Sequence, residues 1–337
     1  MFFHGKVKKV AIGFGLMIWT LICFEVGVRV LSAFVPSYTV EMLKYASQLM
    51  IQSAIPNVTH EHKPNSTAHL MGVDIDLNSL GHRNPELKEL KSPDEIRMHV
   101  IGSSLALGWG VNMEEGFASL IQNKLNKDLT SKTKLNYVVI NAGVGNYNTF
   151  YQVELFKKQV EITKPDVAIL QFFINDAEPN AVQTRSALVK HSLLAGYVYK
   201  HFITYSMTAS KSLEDYYYSL YEDGKPGWKN TQASLLEFKA VCDRLGIPAI
   251  AFMIPDLHDL SKDSHYSALY KKIESVFQQT GIPVIDTFPA LSEEFNGDSI
   301  RARVALDDPH PSSVAHKIIA REVYSFLLAQ RLKVMGL

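Results

Sequence analysis

Residues 98–108 read MHVIGSSLALG, an apolar run that stops at a glycine and two serines and resumes as a second apolar stretch. Met98–Ile101 reads as a strand, and the break at Gly102 leaves Ser103 and Ser104 at its carboxyl end. Working outward, four more short apolar, β-branched runs follow: Tyr137–Ile140, Val167–Phe172, Ile247–Met253 and Ile282–Ile285. Between and after them lie helical patterns at Glu114–Lys127, Thr149–Thr163, Thr231–Leu245, Ser264–Thr280 and Ser312–Arg331. Strands that are apolar throughout, not alternating, are buried on both faces, and the helices between them are long enough to be crossovers. The pattern predicts an α/β fold with a doubly wound parallel sheet. In such sheets ligands bind beyond the carboxyl ends of the strands, so the residues just after each strand carry the functional question.

Four strand ends or loops stand out. Ser103 and Ser104 follow the first strand, where a hydroxyl beside glycine is presented to an incoming base. Asn141–Asn148 (NAGVGNYN) follows the second, with glycines that let backbone N–H groups face a pocket. Phe173-Ile174-Asn175-Asp176 follows the third and supplies a side-chain amide. Asp307-Asp308-Pro309-His310-Pro311 precedes the last helix, and Asp307 is near enough in sequence to orient the His310 imidazole.

Taken in order, these blocks resemble those of the SGNH (GDSL-type) hydrolase superfamily, from about Arg97 to the end of the chain. The resemblance implies a flavodoxin-like sheet, a Ser104 nucleophile, and Asp307 and His310 as its Asp-x-x-His pair. It further implies an oxyanion hole built from the Ser104 N–H, an N–H at Gly145 or Asn146, and the Asn175 amide. Asn146 stands where the family has glycine, and asparagine is the best non-glycine choice for a left-handed backbone. Two more departures are Ser103 for the aspartate of the first block and Phe173 for the glycine of the third. Asp308, two residues from His310, reads as a loop residue, with the role of orienter as its alternative. In such a site His310 takes the Ser104 proton during attack on an ester carbonyl, and Asp307 fixes the imidazole tautomer and stabilises the imidazolium. Leu77–Arg83 (LNSLGHR) is similar to a segment of membrane-anchored members associated with bacterial surface polysaccharides.

Lysine plus arginine and aspartate plus glutamate balance at 34 each over 337 residues, so no basic field favours a nucleic-acid partner. Two cysteines, Cys23 and Cys242, exclude a disulfide framework and a cysteine zinc site. No cofactor or metal is expected. Asp256, His258, Asp259 and His265 form a sequence cluster readable as metal ligands or substrate contacts, and His316, inside the last helix pattern, as a structural histidine.

Residues 10–35 form an apolar stretch long enough to cross roughly 30 Å of hydrocarbon, and Lys6, Lys8 and Lys9 precede it. This predicts a signal anchor in the inner membrane, with the tail in the cytoplasm and the rest facing the periplasm or exterior; a cleaved signal peptide is the competing reading. Glu25 and Arg29, at i and i+4, read either as an interfacial pair or as a contact with a membrane-protein partner. The expected organisation is 1–36 tail and anchor, 37–95 membrane-proximal segment with one helical patch, and 96–337 hydrolase-like domain. Within the last, 178–230 is an aromatic-rich helical insertion, a lid or ordinary packing. The expected function is a serine esterase acting on acyl esters, foremost O-acetyl, of a surface or secreted polysaccharide. The alternatives are a polysaccharide O-acetyltransferase and a catalytically weak export assembly factor.

Overall fold

The computed structural model describes residues 2–35, 37–180, 191–208, 212–330 and 335–336. The chain divides into two compact units, Met1–Ser47 with Gln183–Ser210, and Gln48–Val182 with Lys211–Leu337. This differs from the expected divisions at 36 and 95. The helix Tyr38–Gln48 falls almost wholly with the N-terminal unit, whereas residues 49–95 belong to the larger one.

The larger unit begins with two antiparallel hairpins, β1 (Met50–Gln52) with β2 (His60–His62) and β3 (Ser66–Leu70) with β4 (Val73–Leu77). Met71 and Gly72 both have positive φ, the two-residue turn whose twist suits a hairpin. Five strands follow: β5 (Glu95–Gly102), β6 (Asn136–Gly143), β7 (Val167–Phe173), β8 (Ala249–Ile254) and β9 (Val284–Asp286). They form one parallel sheet in the order β6-β5-β7-β8-β9. That is the flavodoxin-like order, with β5 at the switch point between β6 and β7.

Every residue of β5, β7 and β8 is buried, as the unbroken apolar runs require. β5 starts three residues before the apolar run because two charged residues are buried as a pair. Arg97 Nε donates to Glu95 at 2.5 Å, and its other nitrogens reach the carbonyls of Thr163 and Lys88. Helices Phe117–Thr133, Thr149–Thr163, Pro226–Leu245, Ser267–Thr280 and Ser313–Ala329 cover the sheet. The third starts earlier than its apolar pattern because Pro226 sits at its first turn, where the missing N–H costs nothing. A last short pair, β10 (Arg303–Ala305) and β11 (Asp308–Pro311), precedes the final helix.

Helix Leu213–Leu220 belongs to the larger unit, and helix Leu193–Thr208 to the N-terminal unit. In that N-terminal unit the helix Phe2–Phe34 contains a 25-residue stretch, Lys8–Ser32, long and apolar enough to cross a membrane.

Candidate active site

β5 ends at Gly102, and Ser104 opens the single helical turn Ser104–Leu107. Ser103 caps that turn: its hydroxyl accepts from Leu105 N and donates to Gln171 Oε1 at 3.1 Å, and Gln171 also receives the Ser103 N–H at 3.0 Å. Ser103 thus has a local structural role. Gly143 lets the turn approach the end of β6, since a Cβ there would lie 2.3 Å from Leu107 N.

Ser104 Oγ donates to His310 Nε2 at 2.6 Å. His310 Nδ1 donates to Asp308 Oδ1 at 2.6 Å, and the His310 backbone N–H to the same oxygen at 2.9 Å. Asp308, not the expected Asp307, is therefore the carboxylate that holds the imidazole. The reason lies in the local backbone: Asp308–Pro311 is a strand, and in a strand residues i and i+2 share a face while i and i+3 do not. Asp307 is exposed, whereas Asp308 and His310 are 0% and 2% exposed. Trp109 Nε1 donates to the second Asp308 oxygen at 2.8 Å. Burial acts to raise the Asp308 carboxyl, but the bonds from His310 and Trp109 outweigh it and hold the group below its ordinary value. A carboxylate kept ionised in this way fixes the tautomer that leaves Nε2 free to accept the serine proton.

Gly102 pairs with Gly143 in the β5–β6 register, so the loop bearing Gly145 and Asn146 borders the serine turn. Asn146 has φ +63°, a left-handed conformation that asparagine tolerates best among non-glycine residues. Asn175, half-buried, lies in the turn Ile174–Ala177 just past β7, on the other side of β5.

Two residues from the segment 37–95 reach this end of the sheet, and the sequence assigned neither a role. Arg83 is buried and donates to the carbonyls of Leu107, Gly108, Asp74 and Val111, clamping the exit of the serine turn. Burial lowers its guanidinium to about 10. His60 Nε2 donates to the Gly145 carbonyl at 2.8 Å, while Nδ1 accepts from the Thr59 hydroxyl. Burial pushes the imidazole below its ordinary value, so it is neutral at pH 7 in this tautomer. In a trans peptide the carbonyl and the following N–H point opposite ways, so anchoring Gly145 C=O to His60 also orients the Asn146 N–H. His60→Ala is expected to lower kcat by up to about 10²-fold with KM little changed, the pattern of a displaced transition-state donor. Steady-state kinetics on the folded variant test this; a rise in KM alone would contradict it.

Asp176, fully buried, accepts from Phe173 N, Thr149 Oγ1 and Gln152 Nε2. Burial nevertheless raises its carboxyl well above the ordinary value. A raised folded-state value means stability that is present at acid pH and is lost as pH climbs through that value. Asp176→Asn removes this loss and can donate to Gln152 Oε1, a buried atom otherwise without a partner. The variant should therefore gain Tm at pH 8 and gain nothing at pH 4; thermal unfolding at both pH values in detergent would expose an equal shift, which is the contrary result.

The remaining sequence candidates divide. Asp256 bonds His258 and Asp259 bonds His265 as two separate pairs, and among the described residues no three such side chains form a metal-holding group. His316 is buried and accepts the Phe117 N–H, and burial lowers it to about 3, which suits a structural residue.

No family model matches the chain, and no curated protein matches it. Among solved structures it is similar to TesA at 15% identity, over 68% of this chain and 97% of that one, with a TM-score of 0.43. It is similar to the psychrotrophic esterase EstA from Pseudoalteromonas sp. at 14% identity, over 69% and 97%, with a TM-score of 0.43. It is also similar to Axe2, an acetyl xylan esterase from Geobacillus stearothermophilus, at 16% identity, over 74% and 97%, with a TM-score of 0.42.

Proposed function

We propose that this chain is a membrane-anchored serine esterase of the SGNH type, with Ser104 as nucleophile, His310 as general base and Asp308 as orienter. The observation that carries the reading is the unbroken relay from Ser104 Oγ through His310 to Asp308, each link 2.6 Å. A serine turn, a base and a carboxylate joined in this way serve acyl transfer, because the imidazole can remove the serine proton and return it to the leaving alcohol. The developing oxyanion is stabilised by the Ser104 N–H, the Asn146 N–H and the Asn175 amide, each such donor contributing on the order of 2.7–4 kcal/mol. Between Gly145 and Asn146, the His60 anchor on the Gly145 carbonyl favours the Asn146 N–H.

The substrate is an acyl ester, foremost O-acetyl, of a surface or secreted polysaccharide. Support for that class comes from Leu77–Arg83, whose last residue clamps the serine turn. The helix Phe2–Phe34, with its exposed apolar stretch, is the inner-membrane anchor, and the lysines near its N-terminal end keep the tail in the cytoplasm. Purified full-length protein is expected to react with a fluorophosphonate probe at Ser104 and to release acetate from an acetylated glycan. Intact protein carrying the probe at another serine, or at none, sinks the reading. Acetate moved onto a glycan acceptor in preference to water identifies the transferase alternative, which uses the same acyl-enzyme.

A further inference from the structure

The N-terminal unit contains a second apolar helix, Leu193–Thr208, contributed by the insertion between β7 and β8. Its start is tied to the two charged residues of the membrane-crossing stretch. Glu25 Oε1 accepts from Arg29 Nε at 2.7 Å and from Leu193 N at 3.1 Å. Glu25 Oε2 accepts from Ser192 Oγ at 2.7 Å and from Leu194 N at 2.9 Å. Arg29 Nη2 donates to the His191 carbonyl at 2.9 Å, and Ser192 Oγ accepts from Ala195 N at 3.0 Å.

The first N–H groups of any helix lack partners within it, and in hydrocarbon an unsatisfied one costs several kcal/mol. Here three consecutive ones, Leu193, Leu194 and Ala195, are met by Glu25 and Ser192. A helix start in water has no need of a carboxylate drawn from an apolar helix. Glu25 and Arg29 lie seven and three residues inside the Ser32 end of the apolar stretch, about 10 and 5 Å along the axis. Further along, Lys200 Nζ lies 4.7 Å from the centre of the Tyr38 ring, past the end of that stretch. Tyrosine and lysine are typical of the headgroup level. Tyr197, Val198, Tyr199, Phe202 and Tyr205 are 38–71% exposed on the same helix, an apolar surface continuous with that of the anchor.

We infer that helix Leu193–Thr208 is a second lipid-embedded element: its first two turns lie in the outer leaflet beside the anchor, and its later aromatic residues lie at the headgroup boundary. The occupant of the exposed face is the bilayer. The chain of the catalytic unit leaves and re-enters the membrane unit in the middle of its sequence, so the two are covalently joined at three points instead of one. The inference rests on the anchor reading above.

Spin labels on the full chain in phospholipid vesicles test it, in a Cys23→Ser background that leaves only the buried Cys242. Labels are placed at Val198→Cys, at Leu16→Cys on the anchor, and at Glu161→Cys on an exposed helix face of the larger unit. The expected result is an oxygen-to-nickel-chelate accessibility ratio severalfold higher at positions 198 and 16 than at 161. A lipid-like ratio at 16 with a water-like ratio at 198 overturns the inference and leaves the anchor standing. Water-like ratios at both overturn the anchor reading and the inference with it. In the supporting case, Glu25→Ala should shift position 198 toward the aqueous ratio while position 16 stays unchanged.

Discussion

Ser104→Ala is expected to abolish fluorophosphonate labelling and to lower kcat for ester hydrolysis by on the order of 10⁶-fold, the scale seen when a triad nucleophile is removed. Little structural loss should accompany it. Ser104 is 8% exposed and its hydroxyl donates only to His310 among the bonds resolved for it, so alanine leaves the helical turn and its cap intact. Ser103→Ala should do the reverse. It removes the cap on Leu105 N and the bond to Gln171, at a cost of about 1 kcal/mol of stability, yet takes no proton-transfer group from the site. Labelling, hydrolysis rate and Tm measured on both variants separate the roles. If Ser103→Ala lost activity as completely as Ser104→Ala, the choice of nucleophile between adjacent serines would be wrong.

What could be read in the sequence follows from which interactions are local. The sheet was legible because its strands are apolar on both faces, and its ends were legible because glycine, serine and asparagine interrupt each run. Ser104 and His310 follow from the resemblance that the ordered blocks at these strand ends carry, not from the apolar pattern itself. The hairpins between residues 50 and 77 were missed although Val73-Asp74-Ile75-Asp76-Leu77 alternates strictly, and its three apolar side chains are buried while the aspartates are exposed. Trp109, Arg83 and His60 could not be found in this way. Trp109 meets Asp308 199 residues away, and His60 meets Gly145 across 85, through contacts that exist only once the sheet has formed. In the sequence the insertion reads as either a lid or ordinary packing for a related reason: the bonds that Glu25 makes to the start of helix Leu193–Thr208 come from far away in sequence and leave no mark on the insertion's own pattern.

Asp308→Asn should be far more damaging than Asp307→Asn, with a loss in kcat that can reach about 10⁴-fold, the effect of presenting the imidazole in the wrong tautomer. An asparagine amide at 308 offers one acceptor oxygen where the carboxylate has two. It can serve either the two His310 donors, Nδ1–H and the backbone N–H, which share one carboxylate oxygen in the native site, or the Trp109 indole N–H, which has the other. If the amide NH₂ turns toward His310, Nδ1 must become an acceptor and Nε2 carries the proton, so Ser104 loses its base. The ionised carboxylate also stabilises the imidazolium that forms during attack, and a neutral amide cannot. Asp307 is exposed in the turn before the strand Asp308–Pro311, so Asp307→Asn should keep near-native turnover. A second signature follows from Trp109. Trp109→Phe removes one donor to Asp308 and leaves the His310 bond, so it should reduce kcat much less than Asp308→Asn while retaining probe labelling. Esterase kinetics on folded variants give the ranking, and greater damage from Asp307→Asn than from Asp308→Asn would remove Asp308 from the relay.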